Sequence, residues 1–136
     1  MSVDVPSLGG RREAREEALA VLYQAEVTGD AVDDVLGRRD VPPADYAIEI
    51  AEGVDDGRDD LDALLGRHLD NWRVERMPLV DRVIARIAAW ELSSGDEVPT
   101  GVALSEAVAI ATEYCGDRSP RFLNGVLASV AAEVRG

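Results

Sequence analysis

Three arginines near the N-terminus have the spacing of an anion-binding patch. Arg11 and Arg15 are four residues apart and Arg12 and Arg15 are three apart, so the three side chains would be neighbours on a helix. The start of a helix also favours anions, because its first backbone amides lack partners. The alternative is pairing with acids of the same helix, for example Arg12 with Glu16. The spacing therefore indicates either phosphate contacts or intrahelical ion pairs.

A second basic segment, residues 117–125, lies near the C-terminus. Arg118 and Arg121 could bind phosphates, and Phe122 could stack on an unpaired base. Together they would be one way to hold single-stranded RNA. The alternative is an ordinary helix start with Phe122 in the core, and spacing alone favours that alternative.

The same segment has the residues of a helix start. Ser119-Pro120 predicts Ser119 as the cap and Pro120 at the first helical position. In this interpretation Asn124 bonds to the backbone. Gly125 inside the helix costs about 1 kcal/mol relative to alanine. We expect close approach by another backbone to be the reason for it.

The sequence contains no constellation typical of an enzyme. His68 and Cys115 are the single residues of their types, and no glycine-rich phosphate loop, HExxH or GxSxG motif occurs. Carboxylates four residues apart within 55–60 could hold a cation, but a solvated acidic face is the usual role of such a run. Cys115 has no His or Arg placed to lower its pKa, so we expect it to be unreactive. We therefore predict a protein without catalysis, cofactor or metal.

Composition and charge limit the function. The chain has 136 residues, of which 46% are apolar and 4% aromatic, and its net charge is −13. It is long enough for one domain, with a core of Ala, Val, Leu and Ile in closely packed helices. A general nucleic-acid binder would be basic. However, the acids are concentrated, since residues 30–70 hold thirteen acids and four arginines. Any RNA affinity should therefore be modest and depend on a partner.

Hydrophobic periodicity predicts an all-helical chain. Apolar residues recur every three or four positions, and no segment alternates with period two. We expect a flexible leader over 1–9, then one domain over 10–136 with subdomains at about 10–70 and 71–136. No signal peptide or membrane span is predicted, which indicates a cytoplasmic protein. The predicted helices cover about 10–28, 31–37, a long segment 46–69 weakened by Gly53 and Gly57, 80–92, 102–114 and 119–134.

Read in order, several short motifs resemble the NusB transcription antitermination family. Each is weak alone, but their order and spacing fit from about residue 11 to 135. The Phe-x-Asn-Gly-Val-Leu helix is the strongest of them. The motifs are Arg12-Glu13-Ala14-Arg15 leading to Leu22-Tyr23-Gln24, then residues 81–92, Val98-Pro99, 102–108 and 122–127.

The resemblance implies a fold of two perpendicular helical bundles with about seven helices. It also implies a function without a reaction or cofactor. NusB proteins pair with the ribosomal protein NusE, bind the boxA element of ribosomal RNA transcripts, and join the RNA polymerase complex that suppresses premature termination. Some members form homodimers that hide the RNA surface, and a homodimer is possible here.

Carried over to this sequence, the resemblance favours the functional interpretation of both basic segments. It places RNA contacts at Arg11, Arg12, Arg15, Arg118, Ser119, Arg121, Phe122 and Asn124. It places contacts with the ribosomal protein at Tyr23, Glu75, Arg76, Asp81 and Arg82.

Two other functions remain open at this point. Similar domains occur fused ahead of RNA cytosine methyltransferases, although this chain ends at Gly136 with no catalytic cysteine motif. A helical adaptor that binds only proteins is the other alternative, and the acidic composition favours it.

Overall fold

The computed structural model describes residues 8–70, 72–95 and 97–136. Within these ranges the chain forms seven α-helices, a 3-10 turn at Val74–Arg76 and no strand, which confirms the predicted all-helical class. The helices are α1 (Leu8–Thr28), α2 (Val32–Gly37), α3 (Asp45–Asp56), α4 (Arg58–Gly66), α5 (Leu79–Ser93), α6 (Thr100–Tyr114) and α7 (Ser119–Arg135).

Helix α5 is the centre of the fold, since it contacts α1, α3, α4, α6 and α7. Its apolar residues from Val83 to Leu92 are buried, as the predicted helix over 80–92 requires. The same helix buries two charged residues, Arg86 and Glu91. A buried charge requires an opposite partner, and Arg86 bonds to Asp62 of α4 and Glu26 of α1. Helix α5 therefore packs against α1, α3 and α4 on one side and α6 and α7 on the other, and its ion pairs join it to α1 and α4.

The prediction of one long helical segment over 46–69 is wrong in one respect, because these residues form two helices, α3 and α4, which meet at Gly57. The other glycine of this segment has a packing role. A Cβ atom at Gly53 would overlap the indole nitrogen of Trp90 on α5. Gly53 therefore allows α3 to lie directly against α5, and the propensity that it costs α3 is offset by this close packing.

The N-terminal boundary differs from the prediction by two residues. Helix α1 begins at Leu8, within the predicted leader, and residues 1–7 lie outside the described part of the chain. The predicted division near residue 70 falls between α4 and the 3-10 turn. Among the helices described here, none has the length and apolar character needed to cross a bilayer.

Candidate nucleic-acid interface

The structure places Arg15 inside the protein. The residue is 1% exposed, and its Nε donates to both carboxylate oxygens of Glu91 at 3.0 and 2.9 Å. Its Nη1 donates to Glu106 at 3.4 Å. A phosphate has no access to this guanidinium group. The prediction that Arg15 contacts RNA is corrected on this ground, since Arg15 holds α1 against α5 and α6.

Arg12 lies at the edge of the ion cluster that Arg15, Glu91 and Glu106 form. Its Nε and Nη2 donate to the two oxygens of Glu106 at 2.9 and 2.6 Å. The side chain is 45% exposed, and this fork leaves Nη1 free of Glu106. The partner of Arg12 is therefore Glu106 of α6, and not Glu16 of its own helix. Because Glu106 takes two of its donors, Arg12 is only partly available to a phosphate.

Two carboxylates neutralise much of the charge of this cluster. Hydrogen bonding to Arg12, opposed by partial burial, holds the pKa of Glu106 below its usual value. The hydrogen bond and charge of Glu106 correspondingly raise the pKa of Arg12. Both groups are therefore charged at neutral pH. Glu91 and Glu106 together offset two of the three arginine charges at the start of α1.

Arg11 is held differently, over the ring of Tyr46 from α3. Its guanidinium carbon lies 4.5 Å from the ring centroid. The Tyr46 hydroxyl donates to Glu91, and burial together with this bond raises the pKa of Tyr46. Within the described ranges, no carboxylate forms an ion pair with Arg11.

At the start of α7 the guanidinium groups are exposed. Arg118, Arg121 and Asn124 lie at the surface, and Phe122 is 39% exposed. This excludes the alternative that places Phe122 in the core. In the part of the chain that the structure describes, neither arginine has an ion-pair partner. The start of α7 thus presents two unneutralised cations beside an accessible aromatic ring.

Ser119 and Gly125 depart from their predicted roles. The Ser119 hydroxyl donates to the buried Asp81 of α5, and no side chain caps α7. The predicted serine cap is therefore wrong, and both Ser119 and Asp81 serve to fix α7 on α5. At Gly125 the space that a Cβ atom would occupy is open, with no other atom within 4 Å, so no backbone approaches it. The prediction that close approach by another backbone explains Gly125 is therefore also wrong.

The neighbouring Cys115 behaves as predicted. Burial and the nearby Asp81 raise the pKa of its thiol to about 12. A thiol of this kind is protonated at neutral pH and is therefore a poor nucleophile.

Helix α6 contacts α1 at Arg12 and leads into the second arginine region at the start of α7. Glu106, in the middle of α6, holds Arg12, and the hydroxyl of Tyr114 at its end donates to Glu16 of α1 at 3.3 Å. The rise of a helix puts about 12 Å between Glu106 and Tyr114. Helix α7 begins at Ser119, directly after the turn that follows α6. The contacts of α1 along α6 therefore run from Glu106 towards the end of α6 that leads into α7.

The predicted protein-partner residues divide into two groups. Tyr23, Glu75 and Arg76 are exposed, so they remain predictions. Asp81 is buried, and Arg82 donates through Nη2 to the carbonyl oxygens of Glu75 and Met77. Asp81 fixes α7 on α5 and Arg82 fixes the connection between α4 and α5, so the prediction that these two residues contact a partner is corrected.

An open apolar groove of about 260 Å³ runs beside Tyr23. Tyr23 and Tyr114 are 41% and 49% exposed, and Val80 contributes from α5. Two exposed tyrosines around an apolar floor are typical of a surface that a protein partner covers.

The sequence analysis missed three residues of this site: Tyr46, Glu91 and Glu106. A signal for two of them was present. Glu91 and Glu106 lie on the apolar stripes of α5 and α6, where a charge indicates a buried partner of opposite sign. Tyr46 carried no such signal, because it fits the apolar periodicity of α3.

His68 and the acidic run show no arrangement for catalysis. His68 bonds through Nε2 to Glu133 at 2.7 Å. Among the described residues, no group of three His, Cys, Asp or Glu side chains is placed to hold a metal ion.

These features define the class of the protein: a small all-helical protein that exposes Arg118 and Arg121 beside Phe122 at the start of α7. The sequence profile of the NusB family matches residues 12–132. The chain therefore belongs to the NusB family.

Individual relatives agree with this placement. A transcription antitermination protein NusB from Kineococcus radiotolerans is 41% identical over 128 residues, which are 91% of this chain and 94% of the relative. The solved structure of T. maritima NusB has a TM-score of 0.84 at 27% identity and covers 93% of both chains. A structure of antitermination factors NusB and NusE in complex with dsRNA has a TM-score of 0.77 at 22% identity, covering 90% of this chain and 96% of that one. The last likeness concerns the fold.

Proposed function

We propose that this protein is a transcription antitermination factor that binds boxA RNA together with the ribosomal protein NusE. In this role it joins the RNA polymerase antitermination complex in the cytoplasm. Membership of the NusB family and the names of its relatives support the proposal. The observation that carries it is the start of α7, where a strongly acidic protein exposes Arg118, Arg121 and Phe122 side by side.

The proposed RNA surface combines phosphate and base contacts. Arg118, Arg121 and Arg11 supply charge, Phe122 supplies a stacking face, and Asn124 supplies a polar group one turn into α7. Arg12 adds a weaker contact through the part of its guanidinium group that Glu106 leaves free.

The proposed surface for NusE is the groove beside Tyr23 together with the exposed Glu75 and Arg76. A basic partner there would offset part of the net charge of −13 and extend the phosphate-binding surface. RNA affinity should therefore be modest for the chain alone and higher for the pair.

The proposal includes no reaction. Cys115 is protonated and adjacent to Asp81, which does not suit a methyltransferase nucleophile. A methyl-transfer assay on RNA with the purified chain should give no turnover, and measurable turnover would contradict this part of the proposal.

Fluorescence anisotropy with a labelled boxA oligonucleotide tests the function. The chain, NusE and the mixture are titrated from about 50 to 200 mM salt, with a scrambled RNA as control. We expect the mixture to bind boxA more tightly than either protein alone, and to prefer it over the scrambled RNA. Equal boxA affinity with and without NusE would contradict the proposed adaptor. Binding of NusE with no gain in RNA affinity would instead support the adaptor that binds only proteins.

A further inference from the structure

Arg11, which is half-buried, and Arg12, which is exposed, are positioned on α1 by different chemistry. Arg12 is forked on the carboxylate of Glu106, which consumes two donors and offsets its charge. Arg11 lies over the ring of Tyr46, 4.5 Å from the centroid. An aromatic face attracts a guanidinium group without accepting its in-plane N–H groups.

We propose that Tyr46 is a positioning residue for RNA binding, which holds Arg11 ready for a phosphate while leaving its charge and its donors free. This inference rests on the proposed RNA binding. It adds a residue of α3, outside both basic segments, to the machinery of that surface.

Tyr46 is itself firmly held. Its hydroxyl donates to Glu91, and Glu91 is buried and bonded to Arg15. The Arg15 guanidinium carbon also lies 5.9 Å from the Tyr46 ring centroid. The ring is thus fixed by the ion cluster that joins α1, α5 and α6.

This arrangement gives the buried cluster a function beyond stability. An arginine side chain has about 2 kcal/mol of rotamer entropy to lose when it is immobilised. Placing Arg11 on a fixed ring means that part of this entropy is lost on folding, before RNA binds. Phosphate binding by Arg11 should therefore depend on the ring of Tyr46 and little on its hydroxyl.

A double-mutant cycle on RNA affinity tests the inference. It uses Arg11→Ala, Tyr46→Leu and the double variant, each with NusE and boxA RNA. Tyr46→Leu should weaken binding at least about two- to fivefold in the presence of Arg11, the lower end of the range expected for a cation–π contact. It should have no further effect in the Arg11→Ala background. A loss of equal size in both backgrounds would overturn the inference, because it would mean that Tyr46 acts through stability alone.

Two further variants separate the ring from its surroundings. Tyr46→Phe keeps the aromatic face and should retain wild-type affinity. Fluorinated phenylalanine at the same position keeps the shape but weakens the negative face of the ring, so affinity should fall as fluorines are added. Affinity that is indifferent to fluorination would also overturn the inference, and circular dichroism shows whether each variant is folded.

The outcome for Arg11 alone distinguishes this inference from the proposed function. Arg11→Ala should reduce the slope of log affinity against log salt by about 0.7, the value for one phosphate contact to single-stranded RNA. An unchanged slope would overturn the role of Tyr46 and remove α1 from the RNA surface. Variants of Arg118 and Arg121 would then still test whether RNA binds at the start of α7. Arg58→Ala is the matched control, because it also removes an exposed arginine. Arg58 pairs with Glu26, which lies about 22 Å along α1 from Arg11.

Discussion

The starts of α1 and α7 both carry clustered arginines, but different groups surround the guanidinium ions. At α1 the carboxylates of Glu91 and Glu106 bind Arg15 and Arg12. At α7 the arginines are exposed and, within the residues described, without ion pairs. The α1 cluster therefore mainly holds the helices together, whereas the α7 pair has its full charge available for a ligand.

The comparison shows that arginine spacing alone does not identify a phosphate site. Both segments met the same sequence criterion, and the difference comes from acids far away in the chain. A guanidinium group contributes to RNA affinity only with the donors and charge that its protein neighbours leave free.

The largest difference between the two regions should appear in stability. Arg15→Ala leaves Glu91 buried with its main cation removed, and such a loss costs about 3–5 kcal/mol. Arg118→Ala removes an exposed arginine and should change stability by less than about 0.5 kcal/mol. Urea unfolding of the two variants measures both values. Similar stability of the two would mean that the α1 cluster does not hold the fold.

The second difference should appear in RNA affinity. Replacing Arg118 and Arg121 together with alanine should weaken boxA binding roughly five- to thirtyfold, or about 1–2 kcal/mol. It should also reduce the salt slope by about 1.4, the value for two phosphate contacts. The matched control replaces Arg38 and Arg58, which are similarly exposed and carry the same total charge. If the control weakens binding equally, the effect comes from net charge and the α7 surface is not specific.

Alanine at two helical glycines, Gly53 of α3 and Gly125 of α7, should change stability by smaller amounts. Gly53→Ala should destabilise the protein by about 1–3 kcal/mol, because the new methyl group overlaps the Trp90 indole where α3 packs against α5. Gly125→Ala on the open surface of α7 should stabilise it by about 0.5–1 kcal/mol through helix propensity. Thermal unfolding of both variants should therefore shift in opposite directions, and a shift in the same direction would contradict the packing described.

The smallest effect expected is a pH dependence of the α1 cluster. The folded-state pKa of Glu106 is lowered by Arg12. Its contribution to stability is therefore present above the unfolded pKa of about 4.3 and is lost as the pH falls through the lower folded value. Unfolding free energies between about pH 5 and pH 3 should fall less steeply for Glu106→Gln than for the wild type. Parallel profiles would contradict the ion pair.

Much of the fold followed from local patterns in the sequence. The apolar stripe of α5 and the extents of α6 and α7 were predicted, because burial of one helix face leaves a period of three to four. At Gly57 the sequence predicted only a weaker helix and not the break between α3 and α4, since propensity alone does not determine where a helix ends.

The site was less predictable, because its geometry depends on distant contacts. Arg15 lies 76 residues from Glu91 and 91 residues from Glu106 along the chain. Ser119 had the type and position of a cap, yet Asp81 from another helix attracts its hydroxyl. In both cases a buried carboxylate on α5 or α6 outweighed the local preference.

In this protein the exposed arginines should bind RNA while Arg15 holds the helices together. Nuclear magnetic resonance of the arginine Nε–H groups tests it directly, with isotope-labelled chain, unlabelled NusE and boxA RNA. We expect the signals of Arg118, Arg121 and Arg11 to move on adding RNA and that of Arg15 to stay in place. Movement of the Arg15 signal with no change at Arg118 and Arg121 would contradict it.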